Sequence, residues 1–180
     1  MEQNENKILL HACCAICSAY PISLLKDLGY EVVVYFCNPN LDSEKEFQRR
    51  LEAQEKLCKH YSVELIIEKY NPQEYFNFVK GFEKEPEKGL RCDKCIELRL
   101  TKTVQKAVQL GIREIATSLI ISPHKNLDKI IKKGKDIAQN FNIKYSEINF
   151  RKRDGFLKTN LITKDLGLYR QNYCGCIFAK

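Results

Sequence analysis

Nine cysteines stand in a chain of 180 residues, and seven of them fall into three clusters: Cys13, Cys14 and Cys17; Cys92 and Cys95; Cys174 and Cys176. Cys37 and Cys58 stand alone. An odd count at this density is unlike a small secreted disulfide scaffold, and in a reducing compartment such cysteines point to metal or redox chemistry. The two C-x-x-C pairs, Cys14/Cys17 and Cys92/Cys95, are separated by 74 residues, against the ~15–20 of a local zinc ribbon. Any site they share must be assembled by the fold. Four soft thiolates without a histidine pair suit either zinc or an iron–sulfur cluster. The adjacent Cys13 and Cys14 offer more sulfur than one tetrahedral ion needs, and that surplus favours redox chemistry. Cys174-Gly175-Cys176 chelates one ion poorly, and reads as a strained disulfide or a source of single ligands.

The thiols would be positioned by alternating strands and helices. Residues 7–12, 31–37, 63–68, 114–120 and 142–150 read as five short apolar strands. Helical spacing covers 18–28, 43–61 with Ser43 as cap and Glu46 three residues on, a helix from Pro72 through Val79, 95–110 stopped by Gly111, 127–140, and a short helix at 155–165. This pattern predicts an α/β fold, a five-stranded and mostly parallel Rossmann-like sheet with helices on both faces. Residues 1–180 read as a single domain in which 150–180 form a basic, cysteine-containing C-terminal appendage covering the site.

In such sheets ligands bind beyond the carboxyl ends of the strands. His11 to Ser18 leaves the first strand there and enters the first helix, yet neither G-x-G-x-x-G nor G-x-x-x-x-G-K-[ST] is present. Thiols occupy the place of a phosphate cradle, where a helix N-terminus favours thiolate. His11 could tune them, and His124 follows the fourth strand and faces the same crevice. Cys37 and Cys58 read as small buried hydrophobes, and His60 as a surface or capping residue.

With 44% hydrophobic and 29% charged residues the chain can bury a core, and no apolar run reaches the ~18 residues of a membrane span. The polar N-terminus is unlike a signal peptide, so a cytoplasmic protein without membrane association is expected. The net charge of +7 is uneven: residues 1–90 carry 11 Lys/Arg against 15 Asp/Glu, and residues 91–180 carry 19 against 8. That asymmetry is the footprint of a polyanion-binding protein, or else a solvated lysine-rich face.

Five motifs in order, HACCAICS at 11–18, NPN at 38–40, RCDKCIELRL at 91–100, SLIISPHKN at 118–126 and YRQNYCGC at 169–176, resemble the QueH-type epoxyqueuosine reductases, the class that does not use cobalamin. The resemblance spans residues 8–176. It implies two-electron reduction of the epoxide of epoxyqueuosine at the wobble position of tRNA, giving queuosine and water. It also implies an adenine nucleotide alpha hydrolase-like fold, as in tRNA-modifying ATP pyrophosphatases, with thiols replacing their S-G-G-x-D-S loop. A [4Fe–4S] cluster is the implied cofactor, with an adjacent metal ion, iron or zinc.

Carried onto this chain, the resemblance implies Cys13, Cys14, Cys92 and Cys95 as cluster ligands and Cys17 as a ligand of the adjacent metal. Cys174 and Cys176 are a redox pair or further metal-site neighbours. Cys17, His124 and Asp93 are candidate proton donors to the departing oxygen. The anticodon stem-loop would lie on Lys132, Lys133, Lys135, Arg151, Lys152, Arg153 and Arg170, with Tyr169 and Tyr173 stacking on bases. An unidentified electron donor is the other partner. The chain departs from the family pattern at Ile16, Ile96 and His124, where proline, an aromatic and tyrosine are common; no thiol is lost. Two other readings of the residues are a thiol–disulfide oxidoreductase using Cys14 and Cys17, which leaves Cys92 and Cys95 without a task, and a zinc-stabilised RNA-binding module. A tRNA sulfurtransferase is disfavoured because no ATP loop is present.

Overall fold

The computed structural model describes residues 6–179. Five strands, β1 (Lys7–Ala12), β2 (Glu31–Phe36), β3 (Glu64–Ile67), β4 (Glu114–Thr117) and β5 (Lys144–Tyr145), form one sheet in the order β3-β2-β1-β4-β5. Every pairing is parallel, where a mostly parallel sheet is expected from the sequence. The central strand β1 pairs Leu9 with Val33 on one side and with Ile115 on the other. Its residues 8–12 are fully buried, which is why it reads as an unbroken apolar run rather than an alternation.

Among the described residues six α-helices flank the sheet: α1 (Ala15–Asp27), α2 (Glu44–Tyr61), α3 (Pro72–Phe78), α4 (Leu90–Leu110), α5 (Leu127–Gln139) and α6 (Gly155–Asp165). The cap read at Ser43 is made, its Oγ accepting from the Glu46 amide at 3.2 Å. Three elements differ from the sequence reading. The α4 helix starts at Leu90 rather than residue 95, because Gly89 serves as N-cap and the Cys92 and Asp93 amides bond back to its carbonyl. Polar Arg91 to Lys94 hide this turn from apolar periodicity. The fourth strand ends at Thr117 and turns into a 3-10 segment, Ser118–Ile121, because the Thr117 hydroxyl accepts from the Leu119 amide. The fifth strand keeps only two paired residues, since it is a sheet edge and the chain leaves after Ser146.

Residues 150–179 fold back over α1 and the carboxyl ends of the strands. Pro21 lies inside α1, and beside it α6 adds a side chain to the helix backbone: the Tyr20 amide donates to Thr159 Oγ1 at 3.2 Å, and that hydroxyl donates in turn to the Ile16 carbonyl. Gly155 allows the approach, for a Cβ there would lie 1.7 Å from the Phe150 carbonyl oxygen. Beyond α6 the chain crosses to α2. The buried Arg50 guanidinium, paired with Glu46 at 2.7 Å, donates to the carbonyls of Cys174 (3.0 Å) and Tyr173 (3.1 Å). Gly175, at φ +99°, is in the left-handed region, and a side chain there would collide with Leu41.

Thr159→Val keeps the shape but removes the hydrogen bonds with the Tyr20 amide and Ile16 carbonyl from a buried contact. It is expected to cost about 2–3 kcal/mol, read as a lower denaturant midpoint at unchanged slope.

Candidate metal–sulfur centre

The sheet order reverses at β1, whose neighbours β2 and β4 lead away to opposite sides, and the crevice beyond that point is where a ligand of this architecture sits. Cys13 and Cys14 are the first residues past β1. Cys14 is the N-cap of α1, its Sγ accepting from the Cys17 amide at 3.4 Å where a serine or aspartate oxygen usually serves. Cys13 donates its amide to Ser118 Oγ at 3.1 Å, and the Ser118 hydroxyl is 3.4 Å from Cys13 Sγ. The sulfurs of Cys13, Cys14 and Cys17 lie within 4.8 Å of one another.

Hydrogen bonds from Cys14 and then Cys17 hold the Cys13 thiol well below the ordinary thiol range, with Arg99 and Ser118 assisting. The same contacts push Cys14 up to about 12 and Cys17 up as well. The trio therefore favours ionisation of Cys13 over that of its two neighbours. That is a ready donor set for a soft metal.

These three thiols form the floor of a cavity of about 700 Å³. Cys92 and Asp93 reach it from the first turn of α4, and Cys174 from the C-terminal segment. Cys92 Sγ accepts from the Lys88 amide at 3.2 Å. Cys95, one turn on, is buried and packs with Tyr75, Leu98 and Cys176 in a small separate cluster rather than lining the cavity. Burial pushes Cys95 up to about 11 and Cys174 up too, and the Tyr75 hydroxyl lies 2.9 Å from Cys176 Sγ. All nine cysteines are free. Cys37 and Cys58 are buried, as read from the sequence.

The other candidates divide. His124 is exposed on the cavity rim, and Asp93 pairs with Lys129 at 3.4 Å. His11 does not face the cavity. Fully buried, it pairs Nδ1 with Thr117 Oγ1 (2.9 Å) and Nε2 with the Cys37 carbonyl (3.0 Å), which fixes the proton on Nε2 and lets the Thr117 hydroxyl donate to Nδ1. Among the basic residues, Lys132 pairs with Asp136 (2.7 Å), Lys133 with Glu97 (3.3 Å) and Lys135 with Glu147 (2.8 Å). Arg151 turns inward and donates to the carbonyls of Ile120, Ser122 and Lys125, pinning the loop that carries His124. Lys152 and Arg153 are exposed ahead of α6. Arg170 and Tyr173 line the cavity. Tyr169 donates to Glu46 at 3.0 Å beneath Arg49, and Tyr173 to Asp42 at 3.1 Å over Arg50.

Sequence reasoning missed Ser118, Arg50, Lys88, Lys125 and Arg99, all close to the thiols or the cavity. Arg99 was legible in part: Cys92, Ile96 and Arg99 share one helix face by their spacing. The partners of Arg50 lie more than 120 residues away and leave no local signal.

A family model described as epoxyqueuosine reductase QueH matches residues 8–180. The chain belongs to that family. The QueH of Streptococcus pyogenes is 38% identical over 184 residues, covering 99% of this chain and 72% of the relative. That of Thermotoga maritima is 34% identical over 175 residues, covering 96% and 89%. Among solved structures, the U34-tRNA thiolase NcsA of Methanococcus maripaludis, solved with its [4Fe–4S] cluster, superposes with a TM-score of 0.65 over 98% of this chain and 62% of that one. At 14% identity the likeness is one of fold, and it agrees with the architecture expected for the family. Among the described residues no helix is long and apolar enough to cross a membrane.

The His11 ring carries a pH signature. Burial first, and the Arg99 charge second, lower it from 6.5 to about 4. Between those values the unfolded chain takes up a proton that the folded one refuses. Stability is therefore expected to fall by about 3 kcal/mol as pH drops through this window, and His11→Gln should flatten that part of the denaturation profile.

Proposed function

We propose that this chain reduces the epoxide of epoxyqueuosine at the wobble position of tRNA, taking up two electrons and two protons to give queuosine and water. The observation that carries the reading is the grouping of Cys13, Cys14 and Cys17 at the floor of a cation-rimmed cavity in a member of the QueH family. The donor set fits a [4Fe–4S] cluster: three clustered thiols, with ionisation favoured at Cys13, at the ligand-binding edge of the sheet. When bound, such a cluster supplies electrons one at a time.

The ligand set implied by the family motifs is Cys13, Cys14, Cys92 and Cys95, with Cys17 on an adjacent iron or zinc ion. One observation favours a second assignment within this reading. Cys95 packs against Tyr75 and Cys176, whereas Cys17 stands with Cys13 and Cys14, so Cys17 takes the fourth cluster position. Cys95, Cys174 and Cys176 then form a separate sulfur group for the adjacent metal or a redox pair.

His124 is the proposed proton donor to the departing oxygen. It sits on the rim in a loop fixed by Arg151, while Asp93 is tied to Lys129 and Cys17 is committed to the sulfur group. Arg151 is thus a positioning residue rather than a phosphate contact. The proposed tRNA contacts begin at the rim, where Lys88, Lys125 and Arg170 pair with no carboxylate among the described residues. Lys152 and Arg153 extend this face, since Phe156, just beyond them, also lines the cavity. Tyr173 can still present its ring there, although its hydroxyl is engaged. A single domain with residues 150–180 as a cover is the proposed organisation, and the electron donor is a separate protein or small reductant meeting the same opening.

Protein purified without oxygen is expected to carry about four irons per chain, or about five with the adjacent ion, together with acid-labile sulfide. Cys14→Ala should lose both the iron and turnover of epoxyqueuosine-containing tRNA; turnover at the wild-type rate would overturn the site. Charge reversal of Lys125 and Arg170 together should weaken anticodon stem-loop binding and reduce the salt slope by about 1–2. An unchanged slope would remove this rim from the RNA interface.

A further inference from the structure

Arg99 lies two helical turns beyond Cys92 on α4 and lines the cavity, yet it is only 5% exposed. Its Nη1 donates to Asn38 Oδ1 at 3.1 Å, and Asn38 in turn donates from Nδ2 to the Ala12 carbonyl at 3.0 Å, where β1 ends. The Arg99 Nε finds no hydrogen-bond partner, and no carboxylate among the described residues pairs with the guanidinium. A guanidinium does not shed its proton in a protein, so a buried one without an acid needs negative charge from another source.

The groups that face it are sulfurs from all three cysteine clusters. Cys13, Cys92 and Cys174 line the same cavity as Arg99, and Cys95 stands one helical turn before it on α4. Asn38 fixes its position without neutralising it. This is a cation built into the wall of a sulfur site, with its buried Nε left unpaired.

We infer that Arg99 is the fixed counter-cation of the metal–sulfur centre, a tuning residue that raises the readiness of that centre to accept an electron. The inference rests on the reading above. An added electron makes the centre more negative, so a buried positive charge beside it stabilises the reduced state more than the oxidised one. Arg99 also explains how a floor of crowded thiols tolerates negative charge away from water: the compensating charge is part of α4, delivered by the same helix as Cys92 and Cys95.

The test uses the full chain, reconstituted without oxygen with iron and sulfide, as wild type, Arg99→Gln and Arg99→Lys. Iron content, visible and EPR spectra and the midpoint potential are measured, none of which depends on turnover. Arg99→Gln is expected to load iron and to shift the one-electron equilibrium at least tenfold toward the oxidised state, a drop of about 59 mV, while Arg99→Lys recovers most of the shift. Loss of iron in Arg99→Gln with normal loading and potential in Arg99→Lys also supports the inference, because charge rather than shape is then what matters. An unchanged potential in loaded Arg99→Gln overturns it, and so does failure of both variants to load iron, which makes the residue structural. Absence of any iron–sulfur centre in the wild type removes the functional reading and this inference together, whereas a wild-type centre with an unshifted Arg99→Gln removes only this inference.

Discussion

The structure turns on how the chain leaves the carboxyl end of β1. At that point β2 and β4 stop pairing with β1, and backbone groups that lose their ladder must find other partners in a dry interior. Asn38 takes the Ala12 carbonyl, Ser118 takes the Cys13 amide, and the His11 ring spans Thr117 and the Cys37 carbonyl. Cys37 and Asn38 follow β2, and Thr117 and Ser118 stand at the end of β4, so satisfying these groups also fixes β1, β2 and β4 against one another. The sulfurs of Cys13, Cys14 and Cys17 inherit their mutual geometry from this knot. A helix that starts one residue later, capped by a thiol, completes it.

Around that point the charge of the chain is used in two ways. Some cations are spent inside: Arg50 and Arg151 saturate carbonyls and hold the C-terminal segment and the His124 loop, and Arg91 reaches the carbonyls of Glu83 and Glu85. Others remain in solvent at the rim. Arg50, Arg91 and Arg151 make more than one hydrogen bond each through a rigid planar fork, which is why arginine rather than lysine fills these places. Lysines predominate where α5 meets α4 and solvent, pairing with Asp93 and Glu97 at distances that allow exchange with a phosphate at small cost.

The thiol floor and the C-terminal segment constrain each other. Tyr173 and Cys174 are tied to α2 through the buried Glu46–Arg50 pair, and removing one member of such a pair leaves an uncompensated charge. The same segment carries Cys174 to the cavity and Cys176 to the Tyr75 hydroxyl. The sulfur groups at the two ends of the chain are thus brought to one region by hydrogen bonds to backbone carbonyls, which specify position without depending on the identity of the side chains between them.

The amino-acid sequence by itself determined the strand and helix order, the parallel sheet, and the placement of Cys13 and Cys14 at the crevice, because apolar runs, caps and turn residues are local signals. It also carried the ordered cysteine motifs from which the family is read. It did not determine the first turn of α4, the short fifth strand or the inward turn of Arg151, since polar residues committed to distant carbonyls look the same in sequence as solvated ones. Only the tertiary structure decided that Cys17 stands with Cys13 and Cys14 while Cys95 faces Tyr75 and Cys176, and that Arg99 lies buried beside the thiols. Those outcomes depend on where separate helices meet, and spacing along the chain holds no record of that.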